Sequence, residues 1–217
     1  MVRVVCISDT HTYHESVDLP QGDILVHAGD FTFRGREDEV RLFGEWLRRQ
    51  SFKYKVIIAG NHDLSFERNE AQAKAWLRGD VDDPSLVYLK DKYAKLDING
   101  RIVTVYGSPW QPEFCAWAFN LPRGAPLKAK WDRIPNDIDI LVTHGPPANI
   151  LDKCEHGERV GCKELYEAVK RVNPRIHVFG HIHEEYGTEV IADTTFINAS
   201  ICTVGYRPTN KPIVIEI

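Results

Sequence analysis

The chain predicts an α/β protein in which two β-sheets pack face to face with helices on the outside. In the first half, short β-branched apolar runs alternate with stretches of helical periodicity, the pattern of parallel strands joined by crossover helices. Past Leu86 the runs shorten and tight turns separate them, which predicts a second, mixed sheet.

Each element follows from its residues. Arg3-Val4-Val5-Cys6-Ile7 is a buried strand, and Ile24-Leu25-Val26 is the next. A helix over 36–50 sets Val40, Phe43, Trp46 and Leu47 on one face. Val56-Ile57-Ile58 is a third strand, and a helix over 69–78 opens at the capping residue Asn69 and stops at Gly79. Val87-Tyr88 opens the second sheet, followed by strands over 93–98 and 101–106 around an Asn99-Gly100 hairpin turn. The stretch 107–126 has no clear element, yet Trp110, Phe114, Trp117 and Phe119 argue against disorder and for a functional or firmly pinned loop. Ile140-Leu141-Val142 and His177-Val178-Phe179 are strands, and Asn173-Pro174 ends a helix over 162–172.

At 217 residues, with 43% hydrophobic and 27% charged residues, the chain is expected to form one domain over 1–217. A formal net charge of −4 and a pI near 6.1 disfavour a surface that holds extended nucleic acid. Five cysteines without C-x-x-C spacing indicate neither a disulfide framework nor a zinc ribbon. With no secretory leader and no apolar span, the expected location is the cytoplasm, away from the membrane.

Chemistry concentrates where strands end. Five polar clusters sit there: Asp9-Thr10-His11, Gly29-Asp30, Gly60-Asn61-His62-Asp63, Thr143-His144-Gly145 and Gly180-His181-Ile182-His183. In an open α/β sheet the crevice beyond the carboxyl ends of strands binds ligands, so all five are expected to converge on one side of one sheet. Carboxylates, imidazoles and a carboxamide in such number suit divalent cations, enough for two sites sharing one carboxylate. Asp9 and His11, two apart on an extended strand end, are expected to point the same way, as are His181 and His183. A lone Asp before a turn is usually a cap and a lone buried His a satisfied core residue, but caps have no reason to recur at five strand ends.

In order and spacing these clusters resemble the signature of the calcineurin-like metallophosphoesterases, from Val4 to at least His183. The resemblance implies a four-layer αββα sandwich of two mixed sheets flanked by helices, the metallo-dependent phosphatase fold. It implies that Asp9, His11, Asp30 and His183 hold one metal and Asp30, Asn61, His144 and His181 a second, with Asp30 bridging and a hydroxide between the ions attacking phosphorus in line. Further stretches, Gly107-Ser108-Pro109-Trp110-Gln111-Pro112, Ala118-Phe119-Asn120-Leu121-Pro122-Arg123-Gly124, Thr143-His144-Gly145-Pro146-Pro147 and Ile197-Asn198-Ala199-Ser200, are similar to the metallophosphoesterase-domain-containing subgroup. That subgroup implies phosphodiesterase activity, including on 2′,3′-cyclic nucleotides. Some vertebrate members carry Gly where this chain has His181, which weakens their second site.

Around this set, His62 resembles the family's non-ligand histidine, which stabilises phosphoryl oxygens or protonates the leaving alkoxide; an orienting role alone is the alternative. Asp63 fixes the His62 tautomer or caps the following turn. Arg34 either contacts a phosphate oxygen or forms a surface salt bridge; Phe33 stands where the protein phosphatases carry Asp, which counts against that subclass. Trp110 and Phe114 are candidates to stack a nucleobase, against the plainer role of pinning their loop. His14, His27, His156 and His177 fall outside the pattern and are expected to be structural or exposed.

The expected function is a dinuclear metal-dependent phosphodiesterase acting on a small phosphate ester or nucleotide. The expected metal is manganese, with iron, zinc, cobalt or nickel acceptable to the same donors. A phosphomonoesterase and a non-catalytic protein-binding scaffold are the alternatives, and the sequence names no protein partner.

Overall fold

The computed structural model describes residues 1–217. In chain order its elements are β1 (Arg3–Ile7), β2 (Ile24–His27), α1 (Glu37–Arg48), β3 (Tyr54–Ile57), α2 (Leu64–Arg68), α3 (Glu70–Arg78), β4 (Leu86–Tyr88), β5 (Lys92–Ile98), β6 (Arg101–Ser108), β7 (Gln111–Pro112) and β8 (Asn120–Leu121). They continue with α4 (Ala125–Trp131), β9 (Ile140–Thr143), α5 (Lys163–Val172), β10 (Ile176–Phe179), β11 (Gly187–Ile191), β12 (Thr194–Asn198) and β13 (Ile213–Glu216). One sheet has the order β13-β1-β2-β3-β4 and the other β11-β12-β10-β9-β6-β5.

Side-chain alternation divides the strands between three cores. Val4 and Cys6 of β1, Val26 of β2 and Val56 of β3 meet Val103, Val105, Val142 and Val178 between the sheets. Val5, Ile7, Leu25 and Ile57 point the other way, onto Val40, Phe43 and Leu47 of α1 and Ala73 and Leu77 of α3. Tyr106, Leu141 and Phe179 pack outward on Leu127 and Trp131 of α4 and Leu165, Val169 and Val172 of α5. The central strands of both sheets are therefore covered on both faces, which is why they read as unbroken apolar runs. The layers are helix, sheet, sheet, helix.

The three helices legible in the sequence form over slightly shorter spans than expected. Val87-Tyr88 does not open the second sheet: β4 pairs parallel with β3, with Val56 opposite Val87, and is the last strand of the first sheet. The stretch 107–126, ordered as its aromatics suggested, also carries elements the sequence did not show, because β7 and β8 pair. The Asn120 amide locks that lobe, donating to the Phe114 and Cys115 carbonyls and accepting from the Phe114 amide. α2, α4 and the returning β13, antiparallel to β1, were not anticipated. All five cysteines are free, and no helix is long and apolar enough to cross a membrane.

Two histidines occupy equivalent places in the two sheets. On β2, His27 Nε2 lies 2.9 Å from Thr10 Oγ1; on β10, His177 Nε2 lies 2.8 Å from Thr143 Oγ1. Each threonine adjoins a cluster at a strand end. Burial depresses both imidazoles to a pKa of about 3. The unfolded chain, with an ordinary histidine pKa of about 6.5, binds protons that the folded state refuses, so stability falls as pH drops from about 6.5 towards 3. Each histidine should contribute a slope of about 1.4 kcal/mol per pH unit in that window. His177→Gln should flatten the dependence of unfolding free energy on pH between 6 and 4 by about that amount, measured by urea denaturation; parallel curves would contradict it.

Candidate metal centre

Beyond β1 the chain leaves its own sheet. The Ser8 amide donates to the Ala199 carbonyl and the Ile201 amide to the Ser8 carbonyl, so the prolongations of β1 and β12 are stitched together. The strand-end clusters therefore converge from two sheets rather than along one. Asp9, Asp30 and Asn61 come from the first sheet, His144, His181 and His183 from the second.

Local backbone conformation aims the side chains. Asp9, His11, Asp30 and His181 have φ of 51°, 41°, 57° and 68°. Left-handed conformations are costly for residues with a Cβ and persist only where surrounding structure dictates them. Asp9 and His11 thus reach the same place through a left-handed turn, not as alternate residues of an extended strand. His181 and His183 do not share a target: His183 joins Asp9 and His11, while His181 joins Asp30 and His144. Glycines make the room, for a Cβ at Gly180 would collide with the Asp9 carboxylate and one at Gly60 with the Asp30 carboxylate.

The donor atoms fit divalent cations. Ligands bound about 2.0–2.2 Å from one ion lie roughly 3–3.5 Å from each other. Asp9 Oδ1 is 3.2 Å from His183 Nε2, and His11 Nε2 is 3.3 Å from His183 Nε2. Across the site, Asp30 Oδ2 is 3.3 Å from His144 Nε2, and Asn61 Oδ1 is 2.8 Å from His144 Nε2. The imidazoles are pre-oriented. His144 Nδ1 donates to the Ala28 carbonyl at 2.9 Å and His183 Nδ1 to the Thr203 carbonyl at 3.1 Å. A carbonyl only accepts, so each Nε2 turns to the site, the usual outer-shell arrangement of metal-binding histidine.

Charge follows the same geometry. Burial lowers His11 to about 4 and His181 to about 3, leaving neutral imidazoles with a free lone pair. Burial also pulls His144 down, but the adjacent Asp30 carboxylate outweighs it and raises this group to about 9. Asp30 in turn is held well below the usual carboxylate range, chiefly by His144 acting against burial.

His62 stands beside this set. Its Nδ1 donates to the Phe33 carbonyl at 2.9 Å, which leaves Nε2 facing the cleft, 4.0 Å from Asp30 Oδ2. Trp117 stacks on the imidazole at 4.1 Å between centroids. Asp63 does not fix that tautomer, and although it stands at the N-cap of α2 its side chain makes no capping hydrogen bond, so both roles expected of its side chain are corrected. Its carboxylate accepts from the amides of Asp30, Thr32 and Gly60 and from the Thr32 hydroxyl, tying the loop after β2 to the loop after β3. Burial first and the Asp30 charge second raise its pKa to about 7, while the four donors pull the other way.

The substrate-binding candidates separate. Phe114 is 51% exposed and lines the cleft, edge-on to His181 at 5.4 Å. Trp110 does not reach it. Its indole N–H donates to Asp91 at 2.9 Å and Lys130 Nζ covers its face at 3.8 Å, so it pins the loop. Arg34 lies outside as well, on a separate groove with Thr12 and Arg36, its guanidinium 4.6 Å from the Trp117 ring. Trp117, Tyr206 and the Phe33 and Thr203 carbonyls were not given individual roles from sequence. A backbone carbonyl carries no residue signature, and Tyr206 follows the last metal-binding motif by more than twenty residues.

Comparison with known proteins agrees with this geometry. The family model for calcineurin-like phosphoesterase matches residues 2–185. Metallophosphoesterase domain-containing protein 1 of Homo sapiens is 46% identical over 231 residues, covering 99% of this chain and 71% of the human protein. A UPF0046 protein of Caenorhabditis elegans is 39% identical, covering 100% of this chain and 75% of its own. Among solved structures, the TT1561 protein of Thermus thermophilus superposes with a TM-score of 0.60 at 14% identity, covering 91% of this chain and 88% of that one, a likeness of fold.

Removing the Asp63 carboxylate strands four donors in the interior, each worth roughly 1–3 kcal/mol when unsatisfied. Asp63→Ala should lower the unfolding free energy by at least about 3 kcal/mol and weaken metal binding, whereas Asp63→Asn, which keeps one acceptor oxygen, should lose less. Denaturant melts and metal titrations read both; unchanged stability in Asp63→Ala would refute the pin.

Proposed function

Because the chain belongs to the calcineurin-like phosphoesterase family and is a metal-dependent phosphoester hydrolase, we propose that it is a dinuclear phosphodiesterase acting on small esters such as 2′,3′-cyclic nucleotides. The observation that carries this reading is the sharing of residues between donor groups. Asp9, His11 and His183 form one group and Asp30, His144 and His181 another, while a third joins His11 and Asp30 through His62. Asp30 stands where it can serve both sides, and Asn61 completes the second.

When bound, two divalent cations supply positive charge to the phosphoryl oxygens and acidity to an attacking water. The residues supply the rest. Asp30, fixed through Oδ1 by the His62 amide at 2.7 Å, keeps Oδ2 turned to the centre. His62 presents Nε2 to the cleft, placed to deliver a proton to the leaving oxygen as the ester bond breaks and the P–O bond from water forms. The cleft extends to about 660 Å³, within the range of about 300–1,000 Å³ that takes drug-sized organic ligands and more than phosphate alone needs. Glu113, Glu158 and Glu184 stand on its walls, which suits a small substrate better than a polyanionic nucleic acid. Manganese is our choice of metal, the donor set being equally open to iron, zinc, cobalt or nickel.

The test is hydrolysis of bis-p-nitrophenyl phosphate, p-nitrophenyl phosphate and 2′,3′-cyclic nucleotides by metal-stripped protein with manganese restored. Diester hydrolysis above monoester hydrolysis is expected; a monoester-only enzyme would overturn the reading. His62→Ala should retain metal and lose roughly 10²–10⁴ in rate, the usual value of a general acid–base group. The loss should be smaller on p-nitrophenyl esters than on nucleotides, and equal losses would assign His62 to electrostatics instead. His181→Gly should retain one tight ion and require at least about tenfold more manganese for activity; joint loss of both ions would deny a separate second site.

A further inference from the structure

Tyr206 occupies a position that folding alone does not call for. It is 36% exposed, yet its backbone has φ of 55°, a conformation that is a true outlier for a bulky side chain. Strain of this kind in a cleft is a pointer to function. The turn that carries it is firmly built: the Tyr206 amide donates to the Thr203 carbonyl at 2.8 Å and the Thr203 amide to the Arg207 carbonyl at 2.9 Å. The same Thr203 carbonyl holds His183 Nδ1, so the turn is fastened to the metal-binding set. The ring it presents lies edge-on to His11 at 4.9 Å and tilted against Phe33 at 5.3 Å.

Tyr206 and Phe114 both line the cleft, each against different histidines of the donor set. Phe114 stands over His181, and Tyr206 stands over His11 and His183. A phosphodiester placed with its phosphoryl group between them carries two alcohol arms, and a monoester carries one. We infer that the Tyr206 ring, backed by Phe33, forms the wall against which the second ester arm packs, so that Tyr206 sets the preference for diesters over monoesters. This rests on the phosphodiesterase reading above. The family match ends at residue 185, so the wall belongs to a segment that match does not describe.

The test compares wild type, Tyr206→Ala and Tyr206→Phe on bis-p-nitrophenyl phosphate and p-nitrophenyl phosphate. The wild-type ratio of the two kcat/KM values reads the phosphodiesterase proposal by itself. Its change in the variants reads the wall. Tyr206→Ala should cost the diester about tenfold more than the monoester, the discrimination one aromatic contact provides, mostly in KM, and Tyr206→Phe should restore the ratio. Calorimetric binding of diphenyl phosphate and phenyl phosphate gives the same comparison without turnover: Tyr206→Ala should weaken the diester selectively. Metal content must stay at the wild-type value. Equal losses on both esters, loss of metal, or an unchanged ratio with unchanged diphenyl phosphate binding would each overturn the assignment.

Discussion

A buried carboxylate at the junction of two sheets is the constraint from which the rest of this molecule follows. Asp30 is 2% exposed, where an uncompensated charge is intolerable. One oxygen is satisfied by the His62 amide, while the other faces His144 from the opposite sheet. Compensation therefore has to cross the interface, and the interface is built to allow it. The strand prolongations at Ser8 and Ala199 join the sheets at this rim, and His144 reaches over to hydrogen-bond the Ala28 carbonyl. The carboxylates and imidazoles gathered there form a donor set that suits divalent cations.

Positioning is delegated outward from that point. Asp63 does not line the cleft, yet its four hydrogen bonds set the relation between the loops that carry Asp30 and Asn61. Backbone carbonyls of Phe33, Ala28 and Thr203 each fix one imidazole tautomer. His62 is further held by Trp117, whose ring also carries the Arg34 guanidinium. The aromatic loop thus splits into parts with different duties: Trp110 fastens it to Asp91 and Lys130, Trp117 supports His62, and Phe114 faces solvent in the cleft.

The sequence revealed the chemistry better than the topology. Aspartate, asparagine and histidine after each apolar strand were legible because buried strands cannot end in such residues without a reason, and because the spacing matched a family. The sharing of the work between two sheets was not legible, since β4 and β13 are short strands whose pairing is decided by long-range contact. Nor could left-handed turns at Asp9 and His11 be read, for non-glycine residues adopt them only under tertiary constraint. Adjacency in sequence suggested a role for Asp63 beside His62, whereas the loop it holds, at Asp30 and Thr32, lies some thirty residues earlier in the chain. For Arg34 and Trp110 residue type left phosphate or base recognition open beside a plainer structural role, and only packing separates the two: Trp110 pins its loop and Arg34 lines a separate groove.

The central claim is that Asp30 joins two ions into one centre. Manganese titration followed by electron paramagnetic resonance addresses it directly, since ions about 3.5–4 Å apart are exchange-coupled. Wild-type protein should take up two ions per chain and show the coupled signal, and Asp30→Ala should lose the coupling along with tight binding at both sites. A single uncoupled ion in the wild type, or a coupled pair that survives in Asp30→Ala, would contradict the account.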